Sequence, residues 1–140
     1  MSADGSDRRR LQSASPFEEQ IGFCRAMRVG DRILVSGTAP IEDDGSSTPG
    51  DAGAQADRCF ALIIRSIEEL GGTVEDIVRV RMFVTDIAVA DAVSASHARH
   101  MKSARPTATL VAVKALYRPE WQVEIEAEAL VRSRSEQSSD

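Results

Sequence analysis

Residues 123–131, VEIEAEALV, alternate between apolar and acidic side chains, and this pattern restricts the local fold more than any other in the chain. Successive side chains of a β-strand point to opposite faces of the sheet. The apolar side chains therefore share one face: Val123, Ile125, Ala127 and Ala129. The acidic side chains share the other: Glu124, Glu126 and Glu128. The segment predicts a strand with one buried face and one charged face.

A second strand with two unlike faces is predicted over residues 77–85, which are rich in β-branched side chains. Its aliphatic side chains are expected on one face: Val78, Val80, Met82 and Val84. The other face carries Arg79, Arg81 and Phe83, and these arginines can pair with acids across strands. One interpretation of this charged face is a solvated surface. Apolar residues near it, such as Leu34 and Val111, favour instead a face covered by another subunit.

The remaining elements are predicted from turn signals and periodicity. Ala26–Val29 and residues 32–36 flank Gly30-Asp31 and predict a hairpin. Apolar residues recur every three or four positions between a capping Asp51 and Leu70, which predicts a helix. A second helix is predicted over residues 88–101 and a strand over residues 109–113. The order ββαβαββ predicts an α+β fold with two helices packed on one face of a mixed sheet.

Length and composition indicate one ordinary globular domain. The chain has 140 residues, 42% of them hydrophobic and 28% charged. Residues 14–131 are predicted to form the single domain, between flexible tails at residues 1–13 and 132–140 that are polar and lack periodicity. The formal charge of −5 disfavours nucleic acid as a partner. The longest apolar run, residues 60–64, is too short to span a membrane.

The N-terminal residues and the cysteines bear on the compartment. Three arginines at residues 8–10 are followed by no apolar stretch, so we expect no secretory signal. Cys24 and Cys59 are too few for a disulfide framework. We therefore expect two reduced thiols and a cytoplasmic location.

Five segments, in order, resemble the RidA (YjgF) reactive-intermediate deaminase family, whose members are often labelled endoribonuclease L-PSP. They are VGDRILVSGTAPI (29–41), AQADRCFALIIRSIEELGG (54–72), EDIVRVRMFVTDI (75–87), RPTATLVAVKAL (105–116) and VEIEAEALV (123–131). The resemblance implies a chorismate-mutase-like fold and a homotrimer with ligand clefts between subunits. It also implies hydrolysis of enamine or imine intermediates with release of ammonia, with no metal or organic cofactor.

The resemblance implies a role for several individual residues. Glu124 matches the cleft glutamate that positions water, and it is the candidate catalytic residue. The family's Ser-Gly turn, whose backbone approaches the ligand, matches Ser36, Gly37 and Thr38. Phe23 occupies the position of a cleft tyrosine and lacks its hydroxyl, and Ser94 stands where many members have an asparagine. The turn residues, Phe23 and Ser94 are candidate ligand-binding residues.

The chain departs from the family at the arginine that clamps the substrate carboxylate. Alignment of Val111-Ala112-Val113 with the family's Val-Glu-Val places Ala108 at that position, and an alanine cannot bind a carboxylate. The chain thus resembles an arginine-lacking branch. Arg105, three residues upstream, is a candidate replacement in the ligand site, with Arg25 and Arg81 as other possible sources of a cation. The alternative for Arg105 is a solvated charge.

Two histidines on the second predicted helix allow several interpretations. His97 and His100, spaced i, i+3, can face one metal ion, but no third ligand has a motif spacing, so we predict no metal site. His97 is a further candidate ligand-binding residue, beside Glu18 or Glu19, where it would transfer protons. A surface or partly packed histidine is the simpler alternative.

These observations lead to two main hypotheses for function. The first is a deaminase-like hydrolase acting on a small metabolite with changed specificity. The second is a non-catalytic trimer that binds a small molecule or a partner in its intersubunit clefts. The expected partners are a second and third copy of the chain and a small molecule with amine or carboxylate groups. Endoribonuclease activity is the weakest hypothesis, because a basic groove and stacking aromatic residues are missing from the sequence.

Overall fold

A computed structural model describes residues 7–132. Its strands form one sheet: β1 (Arg8–Leu11), β2 (Ala26–Val29), β3 (Arg32–Thr38), β4 (Ile77–Val84), β5 (Thr107–Ala112) and β6 (Val123–Leu130). Its α-helices are α1 (Pro16–Ile21), α2 (Ala52–Glu69) and α3 (Ala90–Met101). The strand order is β1-β2-β3-β6-β4-β5; β4 and β5 run parallel, and the other neighbouring pairs run antiparallel. This architecture confirms the predicted α+β fold with a mixed sheet.

The core lies between the sheet and α2, as the two periodicities predict. On β6 the apolar side chains are buried and the three glutamates are half-buried. On α2 the buried stripe includes Cys59, Phe60, Ile63 and Ile67, and Asp51 caps the helix by accepting a 2.9 Å hydrogen bond from the Ala54 N–H. Each large apolar side chain buried in this way stabilises the fold by about 1.5–3 kcal/mol. In the helix layer, α3 packs against α2.

The alternation predicted for β4 is wrong at its first residue. Val78 was expected to face the helices, but it is 38% exposed, whereas the preceding Ile77 is buried. The pairing of β4 with β6 shifts register between Ile77 and Arg79. The extra residue reverses the side-chain direction at that point, so strict alternation starts only at Arg79.

The N-terminal region also differs from the expectation of a tail over residues 1–13. Residues 8–11 form β1, which pairs with β2 at the edge of the sheet. Their sequence, RRRL, shows no alternation of apolar and polar residues, and the strand has no fully buried residue. Backbone hydrogen bonds to β2 hold it in place, and such bonds leave no periodic pattern in the sequence. The short helix α1, capped by Ser15, follows it and was not predicted. Residues 1–6 and 133–140, which include most of the predicted C-terminal tail, lie outside the described residues.

Other boundaries differ by a few residues for local reasons. The Asp86 carboxylate accepts a hydrogen bond from the Ala88 N–H, which begins a 3₁₀ turn at Ile87–Val89, so α3 begins two residues later than expected. Residues 36–38, expected as a turn, belong to β3. Within residues 7–132, no helix has both the length and the apolar character needed to cross a membrane.

Candidate functional site

The candidate site is built around an irregular segment of β3, residues 36–38, which we call the β3 bend. Pairing between β3 and β6 loses its regular register between Val35 and Thr38. At this point Glu124 of β6 lies against Gly37, where an added Cβ would stand only 2.6 Å from the Glu124 Oε2 atom. A glycine is therefore required for the carboxylate to approach the backbone. The bend brings together Gly37 and Glu124, two of the residues that the sequence named as candidates for the site.

The hydroxyls of the β3 bend are engaged within the chain. Ser36 Oγ donates a 2.8 Å hydrogen bond to the carbonyl of Cys24. Thr38 Oγ1 donates one of the same length to the carbonyl of Ser36, and Thr38 is buried. Both side chains thus stabilise the irregular backbone beside Glu124. The expected ligand-binding role of Ser36 and Thr38 stays a prediction.

Arg25 is attached to the other side of the same backbone segment. Its Nη2 donates a 2.6 Å hydrogen bond to the Gly37 carbonyl, and this bond is exposed to solvent. Its guanidinium carbon lies 5.9 Å from the centre of the Phe23 ring, a cation–π arrangement. Its Nε is buried and has no hydrogen-bond partner within residues 7–132. Through Arg25, Phe23 joins the group formed by Gly37 and Glu124.

The electrostatics of Glu124 and Arg25 are coupled. Burial raises the pKa of the Glu124 carboxyl, Arg25 opposes this rise, and Glu126 adds to it. Burial lowers the pKa of Arg25, while the charges of Glu18 and Glu124 raise it. Desolvation disfavours each charged form, and the opposite charge of the neighbour favours it. The site therefore holds a carboxyl group that takes up a proton more readily than an exposed glutamate does.

Glu124 differs from the other two acids on its face of the sheet. Glu126 lies 3.7 Å from Arg81, and Glu128 lies 3.8 Å from Arg79, which confirms the expected pairing across strands. Within the part of the chain that the structure describes, no basic side chain lies within 4.0 Å of Glu124. Of the three glutamates, Glu124 is the one whose carboxylate is available to a ligand or to water.

Glu18 connects the N-terminal segment to this group. It is almost completely buried, and its carboxylate accepts a 2.8 Å hydrogen bond from the Ser13 N–H and another from the Ser13 hydroxyl. Its backbone carbonyl accepts a 2.9 Å bond from the N–H of Phe23. The short helix α1 thereby places a negative charge near Arg25 and positions Phe23.

Ser94 and His97 lie apart from the Glu124 group within one chain. Both are on α3, in the helix layer, and Ser94 is exposed. His97 makes an edge contact with Phe60, at 5.7 Å between ring centres, and burial lowers its pKa. Within the chain Glu18 is bonded to Ser13, and the expected place of His97 beside Glu18 or Glu19 in an intersubunit cleft stays a prediction. His100 bonds Asp57 at 3.1 Å.

Arg105 and Ala108 are also distant from Glu124 in the sheet. Arg105 adopts a left-handed backbone (φ 47°), and its N–H donates a 2.8 Å bond to the Met101 carbonyl, which ends the helix. Ala108 is on the edge strand β5 and pairs with Val80 of β4, so β4 separates it from β6. Among residues 7–132, the cation that acts on Glu124 is Arg25, which the sequence named only as one of three alternatives. The sequence feature that could have singled out Arg25 is its position directly before Ala26, the buried first residue of β2.

Two cavities adjoin this region. One, of about 370 Å³, lies on the charged face of the sheet and is lined by residues that include Cys24, Ser36, Arg81 and Glu126. The other, of about 630 Å³, lies between the N-terminal segment, the loop after β3 and α2, and Arg25 and Thr38 are part of its wall. Both volumes fall in or near the range of small-molecule sites.

Comparison with known proteins identifies the family. The family model described as "Endoribonuclease L-PSP" matches residues 14–131. The chain belongs to this family. A Streptomyces coelicolor member, itself uncharacterised, is 36% identical over 121 residues, which cover 86% of this chain and 90% of the relative. The predicted membership of the RidA (YjgF) family is thus confirmed.

Solved structures of family members support the same assignment. A Mycobacterium tuberculosis protein, described as a member of the YjgF/YER057c/UK114 family, has a TM-score of 0.82 and 35% sequence identity, covering 89% of this chain and 100% of its own. A Yersinia pestis protein of the Rid family has a TM-score of 0.78 and 25% identity, covering 89% of this chain and 100% of its own. The L-PSP family fold therefore extends over the whole domain.

Proposed function

We propose that this chain hydrolyses an imine or enamine of a small metabolite at Glu124, as a RidA-like deaminase with altered specificity. The observation that carries the proposal is the placement of Glu124: its carboxylate is half-buried against Gly37, free of the ion pairs that Glu126 and Glu128 make, and near Arg25. A carboxyl whose pKa is raised by burial holds a proton more readily than an exposed glutamate does, which suits it to accept and return one during the reaction.

The chemistry requires only water and a group that transfers one proton. Glu124 in its ionised form takes a proton from a water molecule while the water oxygen bonds to the imine carbon. The resulting carbinolamine nitrogen receives that proton from the neutral carboxylic acid. The carbon–nitrogen bond then breaks, the hydroxyl becomes the carbonyl, and its proton leaves with the nitrogen as ammonia. One water is consumed, and one ammonia and one carbonyl compound are formed.

Altered specificity follows from the residue at the family's clamping position. Ala108 has no group that can bind a carboxylate, so a substrate held by that position in other members loses this contact here. A charge-assisted hydrogen bond is about twice as strong as a neutral one. We therefore propose that any substrate carboxylate is bound by a residue other than Ala108, so that the order of substrate preference differs from that of the arginine-bearing members.

The proposed active form is a homotrimer in which the charged face of each sheet packs against its neighbours. Apolar side chains on that face, such as Leu34 and Val111, are 39% and 42% exposed in the isolated chain. A covered interface would remove them from water. In this arrangement a neighbouring subunit completes the cleft at Glu124.

The absence of the family's clamping arginine at position 108 also favours a second candidate function, a trimer that binds a small molecule without turnover. The endoribonuclease activity in the family's name is not proposed, because the formal charge of −5 opposes binding to a polyanion.

The test is to generate in the assay a series of imines that differ in the substituent on the imine carbon, and to follow the release of ammonia. We expect the wild-type protein to accelerate hydrolysis of at least one imine, and Glu124→Gln to lose that acceleration. Glu126→Gln is the matched control and should retain it. Binding of the corresponding carbonyl compound with no acceleration for any imine would establish the non-catalytic alternative.

A further inference from the structure

Arg25 has an unusual environment for an arginine. Its Nε is buried without a hydrogen-bond partner in the described residues, and its Nη2 bonds a backbone carbonyl instead of a carboxylate. No acidic group of residues 7–132 lies within the 4.0 Å ion-pair distance of it, although Glu18 and Glu124 act on it at longer range. Arg25 is half-buried, and a partly desolvated cation without a close anion favours an anion that binds beside it.

The larger cavity leads to this guanidinium. Its volume is about 630 Å³, and Arg25 is part of its wall. Apolar side chains line one part of the wall: Leu11, Phe17, Ile41 and Leu62. Acidic side chains line another part: Glu42, Asp43, Asp44 and Glu69. The cavity can thus hold an apolar substituent whose polar end contacts Arg25.

The other arginines of this cavity are occupied. Arg58 lies 3.0 Å from an Asp43 carboxylate oxygen, and Arg65 lies 3.9 Å from the same atom. Arg118 stacks on Phe17 and Trp121, at 5.4 and 5.7 Å from the ring centres. Arg25 differs from all three, because it combines a missing ion-pair partner with proximity to Glu124.

We infer that Arg25 is the carboxylate-binding residue of this site, and that the cavity beneath the N-terminal segment holds the apolar part of a monocarboxylate ligand. The role that Ala108 cannot perform is thereby transferred to the start of β2. Phe23 supports it by packing its ring against the guanidinium. The inference rests on the proposed function, because it places the ligand at the same site. It is tested by measuring ligand affinity, which does not require turnover.

The experiment measures binding of 4-methyl-2-oxopentanoate, a branched 2-oxo acid, by calorimetry. The primary amide of the same compound is the ligand control, because it keeps the shape and loses the charge. We expect the amide to bind the wild-type protein at least about tenfold more weakly, as a charge-assisted contact predicts. Equal affinity for acid and amide would overturn the inference, and this comparison needs no variant.

Variants then identify the residue. Arg25→Gln should weaken binding of the acid at least about tenfold and leave binding of the amide unchanged, while Arg25→Lys should retain part of the affinity. Arg99→Gln, at an exposed arginine of α3 that lines neither cavity, is the matched control and should bind as the wild type does. Arg105→Gln and Arg118→Gln test the other two arginines that could bind the carboxylate. If Arg118→Gln or Arg105→Gln abolishes binding of 4-methyl-2-oxopentanoate while Arg25→Gln binds it as the wild type does, the inference is wrong. Thermal melting checks that each variant is folded.

The outcomes separate this inference from the proposed function. Arg25-dependent binding of the acid without hydrolysis of any imine supports the inference and refutes hydrolysis. Hydrolysis of carboxylate-bearing imines that Arg25→Gln leaves unchanged supports the proposed function and refutes the inference.

Discussion

Gly37 and Glu124 are so close that a single methyl group on Gly37 would stand 2.6 Å from the Glu124 Oε2 atom. This contact joins an irregular point of β3 to the side chain at the start of β6, and it depends on the absence of a Cβ. The same glycine accepts the Arg25 hydrogen bond through its carbonyl. One backbone unit therefore positions both charged groups of the candidate site.

Gly37→Ala should displace the Glu124 carboxylate while the fold remains intact, because the atom that must move is the end of a flexible side chain. We expect at least about a tenfold loss of ligand affinity or turnover. Gly53→Ala is the control: the nearest atom to its added Cβ is 3.4 Å away, and alanine favours a helix over glycine by about 1 kcal/mol. Equal function of both variants would show that the contact with Glu124 is unimportant.

Replacement of Glu124 and Glu126 by glutamine should have opposite consequences. Glu124→Gln removes the available carboxylate and should weaken binding or turnover without lowering the melting temperature. Glu126→Gln leaves Arg81 without its partner at 3.7 Å, but this half-exposed pair contributes only about 0–1 kcal/mol, so function should be unchanged. Thermal melting and ligand titration measure both effects. Similar thermal losses with unchanged binding would assign Glu124 a purely structural role.

The raised pKa of Glu124 predicts a pH dependence of stability. The folded state binds the proton more tightly than the unfolded state, whose ordinary value is 4.5. The stabilisation from the protonated form is therefore complete below that value and is lost as the pH rises through the raised pKa. We expect Glu124→Gln to gain in free energy of unfolding relative to the wild type as the pH rises from about 4 to 8. Urea unfolding across this range tests the sign, and a relative loss would contradict it.

The proposed trimer predicts a solution mass of three chains of 15.1 kDa each, with interfaces above about 1,000 Å². Leu34→Glu places a charge on the apolar part of the proposed interface, 39% exposed in the single chain, and should dissociate the assembly. Ala61→Glu adds the same charge to an exposed position of α2 and should leave the mass unchanged. Sedimentation velocity measures both. A stable wild-type monomer at micromolar concentration would exclude the assembly.

The two thiols should differ in reactivity. Cys59 is completely buried in the core, and burial raises its pKa, so little of the nucleophilic thiolate is present. Cys24 is half-buried. We expect a thiol reagent to modify at most Cys24 in the native protein and both cysteines after unfolding in urea. Reaction of Cys24→Ser at one thiol under native conditions would contradict this prediction.

The sequence by itself determined the elements whose periodicity is local. The alternation at 123–130 and the stripe on α2 predict which side chains are buried, since burial there follows from strand and helix geometry. The order of the family segments also predicted the fold and the position of Glu124 at the start of the last strand. These features need no knowledge of which residues meet across the chain.

Only the tertiary structure decided which charges surround Glu124. The register shift beside Val78 depends on pairing between β4 and β6, and the strand at residues 8–11 depends on an open edge at β2. The Arg25 contact with Gly37 joins residues twelve positions apart across an irregular backbone. Side-chain periodicity contains no information about such pairing, because the free energy of each contact arises only when distant segments have packed together. For this reason the sequence offered Arg25 as one of three possible cations for the ligand site, and only the folded chain shows that it lies beside Gly37 and acts on Glu124.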